Sequence, residues 1–436
     1  MQKWQENDYI SAADLLALQE HKLSAIVKHA SRSPFYKEYF KKEGIDPKKI
    51  KKIDDLKSLP FTTKADLRKS YPYGMAAVPM DRIVRIHASS GTTGKPIVMG
   101  YTKGDVASWA ETVARICVMA GVTPADTVQI SFGYGLFTGG FGLHYGLEKL
   151  GAMVVPFSSG NTERQLMLMK DFRTTALVST PSFALYMAEV ALEKGIEPSS
   201  LGLRLGLFGG ELCSDLIREE IQRKWKIRAT SNYGLTEVGG PGVSGECEEL
   251  DGMHILEDCF LAEIIDPETG LSLPDGEAGE LVLTPLFKKG FPVIRYRTGD
   301  ITRFITEPCK CGRSLKRMGH ITGRTDDMII FKGVNIFPSQ IEEVLATFNE
   351  VSSHYRLIVY RDKDINRDLE VQVELAPEGF SDSFRVMELL ENNIRSSLRS
   401  SLSVSPRVKL MDPKTLQRTT GKSQRVFVVE GDETLP

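Results

Sequence analysis

The chain has 436 residues, which is more than one ordinary hydrophobic core accommodates, so we expect two or three domains. Its net charge of −2, with 41% apolar and 26% charged residues, gives no electrostatic reason to expect nucleic acid or an anionic membrane as a partner. No apolar run approaches the roughly 20 residues of a membrane span, the polar N-terminus lacks a signal-peptide core, and six cysteines do not make a disulfide framework, so we expect a cytoplasmic enzyme.

Helical patterns dominate the first 80 residues, and an alternation of strands and helices begins at about residue 83. Amphipathic helices are predicted at 12–30 and 35–42. Short β-prone apolar runs then alternate with helical stretches, which predicts an α/β layer structure with buried, largely parallel strands. The predicted strands are 127–132, 152–156, 176–179 and 205–208, and the predicted helices are 105–120, 163–171, 183–194 and 215–226.

After Tyr233 the helices become sparse, and Pro- and Gly-rich turns join short strands. This pattern predicts a β-rich submodule at about 240–325. We therefore predict a large N-terminal α/β domain, residues 1–325, followed by a small α+β C-terminal domain, residues 326–436. The predicted elements are strands 261–265, 279–284 and 293–296, a helix beginning at Pro338, strands 356–360 and 370–375, a helix at 384–398, and strands 407–411 and 426–429.

A run of small and hydroxyl-bearing residues at 89–96 ends in a lysine and a proline. Glycine N–H groups approach oxygen closely because no Cβ intervenes, hydroxyls add donors, and the lysine adds positive charge for a polyphosphate. The run is not a Walker loop, because Ser89 and Pro96 stand where that motif needs Gly and Ser or Thr, which disfavours a P-loop kinase. A surface linker would have a similar composition. The predicted phosphate ligands are Ser89, Ser90, Gly91, Thr92, Thr93, Gly94 and Lys95.

Gly209, Gly210 and Glu211 directly follow the predicted strand 205–208. Ligands of open α/β sheets bind at the carboxyl ends of the strands, and glycines there let a flat ring lie on the backbone. These residues are therefore candidates for nucleotide binding, although a tight turn would use the same residue types.

The segments 231–237 and 296–300 add metal, base and sugar functions. Tyr233 offers an aromatic face, Thr236 a hydroxyl for phosphate, and Glu237 a hard oxygen ligand for Mg²⁺ and its phosphates. Asp300 follows a glycine turn and is suited to accept hydrogen bonds from ribose hydroxyls. Each segment alone resembles a turn or a cap, but in this order they predict a Mg²⁺–ATP site that also includes Asn232 and Gly234.

Five motifs together resemble the adenylate-forming acyl-CoA synthetase superfamily, and the similarity covers nearly the whole chain. Three segments are more narrowly similar to its phenylacetate–CoA ligase branch. The superfamily motifs are 89–96, 233–237, 296–300, 323–329 and 421–422, and the narrower ones are 132–140, 295–300 and 332–342.

The resemblance implies a two-step reaction that uses ATP, Mg²⁺ and coenzyme A. An aryl carboxylate attacks the α-phosphate of ATP to give an acyl-adenylate and pyrophosphate, and the thiol of coenzyme A then displaces AMP. Repulsion between carboxylate and phosphates has to be screened by positive charge in a water-excluded site. The resemblance also suggests a homodimer.

The resemblance assigns roles to three residues of the predicted C-terminal domain, and Arg324 and Lys332 beside them are expected to bind cofactor. Lys422 is expected to bridge the attacking carboxylate and the α-phosphate as the adenylation catalyst. Asp326, two residues after Arg324, matches the family hinge, so the small domain is expected to be mobile. Gly333, which follows Lys332, matches the position that approaches the pantetheine channel during thioester formation. One rotation would thus exchange two half-sites over one adenylate.

An aromatic acyl pocket is also expected. Aromatic side chains interleaved with glycines leave a flat slot for a ring, although the packing aromatics of an ordinary core would look similar. The residues expected to line the pocket are Tyr134, Phe137, Gly140, Phe141 and His144, with Gly209, Gly234 and Pro241 near its floor.

Cysteines in the β-rich submodule offer metal ligands. Cys309 and Cys311 form a Cys-x-Cys pair, and Cys247 and His254 supply a third thiol and an imidazole, which is the ligand set of structural zinc. Cys259 would replace His254 if the imidazole points away. Reduced free cysteines beside a surface histidine are the alternative, and Cys117 and Cys213 are expected to be packing residues.

Three functional hypotheses follow. The first is ATP-dependent ligation of an arylacetic acid, phenylacetate or a close relative, to coenzyme A. The second is adenylation of another aromatic acid, such as an indole-acetate, or transfer of the acyl group to a carrier protein. The third is a nucleotide- and zinc-binding scaffold without catalysis, which the joint presence of Lys422, Glu237 and Asp300 disfavours.

Overall fold

The computed structural model of the protein describes residues 4–89, 96–325, 329–331, 334–362, 365–379, 383–402, 404–417 and 425–430. Three helices precede the first strand, and each begins after a hydroxyl side chain that accepts a hydrogen bond from a backbone N–H of the first turn, as favourable N-caps do. They are α1 (Ala12–Ala30), α2 (Pro34–Lys42) and α3 (Lys64–Lys69).

A mixed nine-stranded sheet forms the centre of the protein. Five neighbouring strands are parallel and four are antiparallel, in the order β13-β14-β9-β8-β7-β6-β5-β3-β4. The parallel strands are β4 (Met153–Val155), β3 (Thr127–Ile130), β5 (Ala176–Ser179), β6 (Leu205–Phe208) and β7 (Arg228–Leu235), and the others are β8 (Gly240–Glu246), β9 (Met253–Ile255), β14 (Arg317–Met318) and β13 (Phe304–Ile305).

Four helices connect strands of this sheet, and a fifth, α4, leads into it from β2 (Val98–Thr102). The four helices predicted in this region are confirmed to within a few residues, whereas α5 was not predicted. Two of these five helices, α4 and α5, pack closely because α5 carries glycines. A Cβ at Gly142 would lie 2.5 Å from the Trp109 ring, and one at Gly146 would lie 2.4 Å from Val113. The helices are α4 (Lys103–Ala120), α5 (Thr138–Leu150), α6 (Thr162–Asp171), α7 (Pro181–Glu193) and α8 (Asp215–Trp225).

The β-rich region divides between two sheets. Its strands β8, β9, β13 and β14 extend the central sheet, whereas four others form an antiparallel sheet in the order β10-β11-β12-β15. A separate hairpin of β1 and β2 precedes α4. The strands are β1 (Ile83–Ala88), β2 (Val98–Thr102), β10 (Phe260–Ile265), β11 (Gly279–Pro285), β12 (Tyr296–Thr302) and β15 (Gly323–Arg324).

The strand predicted at 293–296 is wrong, because β12 begins only at Tyr296. Arg295 has a left-handed φ of 47°, which a strand residue does not adopt. Its guanidinium donates to the carbonyl of Leu59 at 2.7 Å and pairs with Glu263 at 2.8 Å. These contacts hold the residue before β12 out of the extended conformation.

The C-terminal part has its own sheet and its own hydrophobic cluster, which runs from Ile329 to Val408. Another cluster, from Leu23 to Met318, joins the N-terminal helices to the central sheet. The domain boundary at residue 325 stays a prediction. The elements are β16 (Ile329–Phe331), β17 (Val334–Ile336), α9 (Pro338–Leu345), β18 (Val351–Asp362), β19 (Ile365–Leu375), α10 (Phe384–Leu402), β20 (Arg407–Met411) and β21 (Val426–Glu430), with sheet order β20-β19-β18-β21.

Within the part of the chain that the structure describes, no helix is both long enough and apolar enough to cross a membrane.

Candidate active site

The carboxyl ends of β6 and β7 lie side by side, because the two strands are parallel with Phe208 opposite Ser231. Asn232 donates from Nδ2 to the carbonyl of Phe208 at 2.9 Å. A Cβ at Gly209 would lie 2.7 Å from the backbone oxygen of Asn232, so only glycine fits there without a shift of the backbone. Gly210 has a positive φ of 81°, which also favours glycine. At this edge of the sheet, the backbone of Gly209 and Gly210 is therefore not covered by side chains of its own.

Tyr233 and Asp300 contact each other although 67 residues separate them. The Tyr233 hydroxyl donates to Oδ2 of Asp300 at 2.5 Å, and the Arg324 guanidinium forms an ion pair with Oδ1. Burial, together with the Asp300 carboxylate, raises the pKa of Tyr233 well above its usual value, so the phenol stays protonated. The pairing of β12 with β15 sets Asp300 opposite Arg324. The structure thus brings three predicted site residues together.

Thr236 and Glu237 form a short 3₁₀ turn after β7. The Thr236 hydroxyl lies 3.2 Å from that of Thr138, at the start of α5. The backbone carbonyl of Thr236 accepts from the Tyr101 hydroxyl at 3.4 Å, and that of Glu237 accepts from Nζ of Lys288 at 3.2 Å. The turn is therefore held through its backbone.

Two predicted nucleotide residues have partners of their own. Ser89 directly follows β1, and its backbone N–H donates to the carbonyl of Ile97, directly before β2, at 3.0 Å. Glu211 accepts from the Ser182 hydroxyl at 2.6 Å, at the beginning of α7. Several other predicted residues lie outside the described residues, namely Ser90, Gly91, Thr92, Thr93, Gly94, Lys95, Asp326, Lys332, Gly333 and Lys422.

Three of the predicted acyl-pocket residues are in contact. The Tyr134 ring packs edge-on against Phe141 at 5.2 Å, and its hydroxyl lies 3.2 Å from Nδ1 of His144. Nε2 of His144 lies 3.1 Å from Oε1 of Glu148. Tyr134 and Phe141 thus form an aromatic wall that ends at the polar side chains of His144 and Glu148. Burial raises the pKa of Tyr134, so its hydroxyl is protonated.

The remaining predicted pocket residues border this group. A Cβ at Gly140 would lie 3.0 Å from the carbonyl of Gly133, and a Cβ at Gly234 would lie 1.9 Å from the carbonyl of Gly240. Pro241 accepts from the Trp109 indole at 2.8 Å. Phe137 caps the N-terminus of α5 and is 48% exposed, so it lies at the rim.

Sequence reasoning missed His87, Tyr101 and Lys288, which are all buried beside the Thr236–Glu237 turn. His87 packs edge-on against Tyr101 at 5.3 Å and Phe141 at 5.7 Å. Burial lowers the pKa of His87 to about 4, so its imidazole is neutral near pH 7. The position of His87 two residues before the 89–96 run was the available signal. Lys288 gave no such signal, because two consecutive lysines, Lys288 and Lys289, resemble charged residues on a solvent-exposed surface.

A second group of chemistry-bearing side chains lies in the β-rich region. The ligand atoms of Cys247, His254, Cys309 and Cys311 all lie within 4.8 Å of one another. Sγ of Cys247 is 3.6 Å from Sγ of Cys309, and Sγ of Cys311 is 3.3 Å from Nε2 of His254. The pairing of β9 with β14 sets His254 opposite Arg317, which brings the distant segments together.

These residues fit a tetrahedral zinc ion. Zinc bonds of about 2.3 Å to sulfur and about 2.0 Å to nitrogen place the ligand atoms about 3.5–3.8 Å apart. Nδ1 of His254 lies 3.3 Å from the carbonyl of Leu315, the kind of outer contact that orients a metal-binding imidazole through its other nitrogen. Cys259 does not belong to the group and lies instead beside Asp258 and Arg115.

The C-terminal part contacts the large N-terminal part through polar side chains. The Ser214 hydroxyl donates to Glu342 of α9 at 3.1 Å, and His354 of β18 lies 3.3 Å from Glu189 of α7. These contacts join the C-terminal part to the side of the central sheet that carries α7 and α8.

A bare strand edge, a buried tyrosine–aspartate pair and a Thr-Glu turn beside an aromatic wall are the features of an enzyme that activates a carboxylate with ATP. The chain belongs to the AMP-binding enzyme family: the family's model matches residues 13–284, and the model of its C-terminal domain matches residues 333–428. The resemblance to adenylate-forming enzymes is thereby confirmed.

Within this family the chain is similar to phenylacetate-coenzyme A ligases. It is 44% identical to the enzyme of Thermus thermophilus over 427 residues, which cover 95% of this chain and 96% of the relative. It is also 44% identical to the enzyme of Pseudomonas putida over 425 residues, or 96% of each chain. The narrower resemblance expected from the sequence is confirmed as well.

Solved structures agree on the fold. A 2-hydroxyisobutyryl-CoA ligase in the postadenylation state in complex with 2-HIB-AMP superposes with a TM-score of 0.91 at 27% identity, covering 97% of this chain and 91% of that one. The same ligase in the thioesterification state, with CoA, gives a TM-score of 0.72 at 27% identity, covering 98% and 92%. This structure is thus closer to the postadenylation arrangement.

Proposed function

We propose that this protein ligates an arylacetic acid, phenylacetate or a close analogue, to coenzyme A at the expense of ATP. The observation that carries the proposal is the convergence of Tyr233, Asp300 and the Thr236–Glu237 turn beside the Tyr134–Phe141 wall. Similarity along nearly the whole chain to phenylacetate-coenzyme A ligases supports the choice of acid and acceptor. ATP and coenzyme A are cytoplasmic metabolites, so we place the enzyme in the cytoplasm.

In the first step a carboxylate oxygen of the acid attacks the α-phosphorus of ATP. The new P–O bond gives the acyl-adenylate, and the bond to pyrophosphate breaks. Asp300 holds the ribose hydroxyls, Tyr233 covers the base, and the Thr236 hydroxyl donates to the phosphate. The Glu237 carboxylate would hold Mg²⁺, whose charge would offset that of the phosphates. Lys422 supplies the cation between carboxylate and phosphate.

In the second step the sulfur of coenzyme A attacks the acyl carbonyl carbon. The C–S bond forms, the C–O bond to AMP breaks, and the thiol proton passes to solvent. We propose that Gly333 lines the route of the thiol and that a turn about Asp326 brings it into place. Such a turn has to break the contacts of Glu342 with Ser214 and of His354 with Glu189.

A panel of aryl acids tests this function. We expect phenylacetate and coenzyme A to give a thioester with one AMP per product, measured by mass spectrometry, and indole-acetate to react more slowly. Pyrophosphate release without any coenzyme A thioester would instead indicate a carrier-protein acceptor. Absence of pyrophosphate release with every acid would indicate the scaffold hypothesis.

Replacing Asp300 by asparagine is expected to raise the KM for ATP by about tenfold or more, because an amide is a weaker acceptor than a carboxylate and the ion pair with Arg324 is lost. The KM for the acid should change less than threefold, since Asp300 lies outside the aromatic wall. Asp275→Asn, at an exposed acid, is the matched control. Initial rates with ATP and acid varied separately measure both constants, and equal changes in both would contradict the ribose role.

We also propose that Cys247, His254, Cys309 and Cys311 bind one structural zinc ion. The observation that supports this is the ligand geometry, in which three thiols and one oriented imidazole lie within 4.8 Å of one another. The acid–thiol ligation needs no zinc, so the ion would be structural and would join the end of β8 and β9 to the loop between β13 and β14. Finally, we propose a homodimer, which light scattering on the purified protein tests directly.

A further inference from the structure

Lys288 is fully buried, with none of its surface exposed. It lies in the connection between β11 and β12, beside the Thr236–Glu237 turn. A buried ammonium carries a large desolvation cost, so an apolar side chain of equal length would be the economical choice if only packing mattered. The burial of Lys288 therefore indicates a role that depends on its charge or on its hydrogen bond.

Lys288 and Tyr101 both contact the backbone of the Thr236–Glu237 turn. Nζ donates to the carbonyl of Glu237 at 3.2 Å and lies 4.6 Å from the centre of the Tyr101 ring. The Tyr101 hydroxyl in turn donates to the carbonyl of Thr236 at 3.4 Å. Tyr101 is itself fixed, because Trp109 stacks on it at 5.3 Å. Two side chains thus hold two consecutive carbonyls of the turn.

Among the described residues, the acids Asp105 and Glu237 act electrostatically on Lys288. The Asp105 carboxylate accepts from the backbone N–H groups of Lys289 at 2.7 Å, Gly290 at 2.8 Å and Thr102 at 2.8 Å. Asp105 thereby fixes the backbone that carries Lys288. Burial lowers the pKa of Lys288 to about 7, against the opposing effect of the two acids.

We propose that Lys288 is a positioning residue for the adenylation half-reaction: by anchoring Glu237 from behind, it keeps the Thr236 hydroxyl and the Glu237 carboxylate where Mg²⁺–ATP needs them. The inference rests on the proposed function of the turn and adds a residue to it. Preorganised groups gain their effect by not having to move during the reaction, so a loosened turn costs rate in the step that uses the phosphates.

Lys288→Met tests this role, because methionine fills similar space without the hydrogen bond or the charge. Pyrophosphate release measures adenylation, and thioester formation from supplied phenylacetyl-adenylate measures the second half-reaction alone. We expect the kcat/KM for ATP in adenylation to fall by about 30-fold or more and thioester formation to stay within about threefold. Lys289→Met, at the exposed neighbour, should change both by less than about twofold.

Tyr101→Phe removes the hydroxyl that binds the Thr236 carbonyl and should give a smaller loss of the same kind, about three- to tenfold in adenylation only. An unchanged adenylation rate in Lys288→Met, or equal losses in both half-reactions, would overturn the proposal. If the melting curve shows that Lys288→Met is unfolded, Lys288→Gln is tested in its place. If neither variant folds, the lysine is structural and the proposal fails.

Failure of the proposed function is a separate result. It would show as absence of adenylate and thioester with every aryl acid in the unmodified enzyme. In that case calorimetric titration with Mg²⁺–ATP still tests Lys288, because a displaced turn should weaken binding by about tenfold in Lys288→Met and not in Lys289→Met. Equal affinities in the two variants would overturn the role of Lys288.

Discussion

Replacing Lys422 by alanine is expected to slow adenylate formation by about 10²- to 10³-fold, the usual cost of removing one preorganised group that stabilises developing charge. The reason is the repulsion between the incoming carboxylate and the α-phosphate, which a nearby ammonium offsets. Pyrophosphate release with phenylacetate measures the loss. Thioester formation from supplied adenylate should stay within about threefold, because no carboxylate has to approach a phosphate in that step.

Lys409→Ala is the matched control for this experiment, since it removes an exposed lysine of β20 in the same part of the chain. It should leave both half-reactions unchanged. Equal losses in both half-reactions of Lys422→Ala would point to a general defect of the C-terminal part. An adenylation rate equal to that of the unmodified enzyme would remove Lys422 from the mechanism, and with it the proposed role of the C-terminal part in the first step.

Replacing Cys311 by serine is expected to abolish zinc binding and to lower the free energy of unfolding by about 3–5 kcal/mol, because the loss of one ligand leaves buried thiols and an imidazole without their shared cation. Metal analysis of protein purified without chelators should give about one zinc per unmodified chain. Denaturant unfolding measures the stability change.

Cys259→Ser serves as the control, because Cys259 lies beside Asp258 and outside the group of four ligand atoms. It should retain the metal and most of the stability. Unmodified protein that contains no zinc, and whose stability chelators do not change, would contradict the proposed centre. The reduced free cysteines of the alternative interpretation would then be the correct description.

Local patterns predicted the parallel strands well. β5 and β6 were predicted with their observed bounds, because each is a short, wholly buried apolar run next to polar or glycine residues. The helix at 12–30 was also exact, since Ser11 caps its first turn and Ser31 follows its last residue. Such boundaries depend on neighbouring residues, which a sequence displays directly.

Long-range pairing was harder to predict. No local pattern indicates that β8, β9, β14 and β13 extend the central sheet to nine strands. The left-handed Arg295 interrupts a run of strand-forming residues because of side-chain contacts with Leu59 and Glu263, which lie far away in sequence. A local pattern shows neither partner.

Residues of the candidate site also differ in whether a local sequence pattern indicates them. Candidate ligands with a recognisable spacing, such as Cys309-x-Cys311 or Tyr233 through Glu237, can be proposed from the sequence because the chemistry dictates the residue types. Lys288 and Tyr101 donate to backbone carbonyls, which any residue possesses, so these contacts are visible only in the structure.

The glycines of α5 restrict substitution on the face of this helix that packs against α4. Side chains at positions 142 and 146 would collide with Trp109 and Val113, so the two helices touch and cannot be brought nearer. Under the proposed function, a designer who wants to change the width of the acyl pocket would therefore exchange the rings at 134 and 141 and keep the glycines at 142 and 146, because a side chain at either glycine would push α5 away from α4.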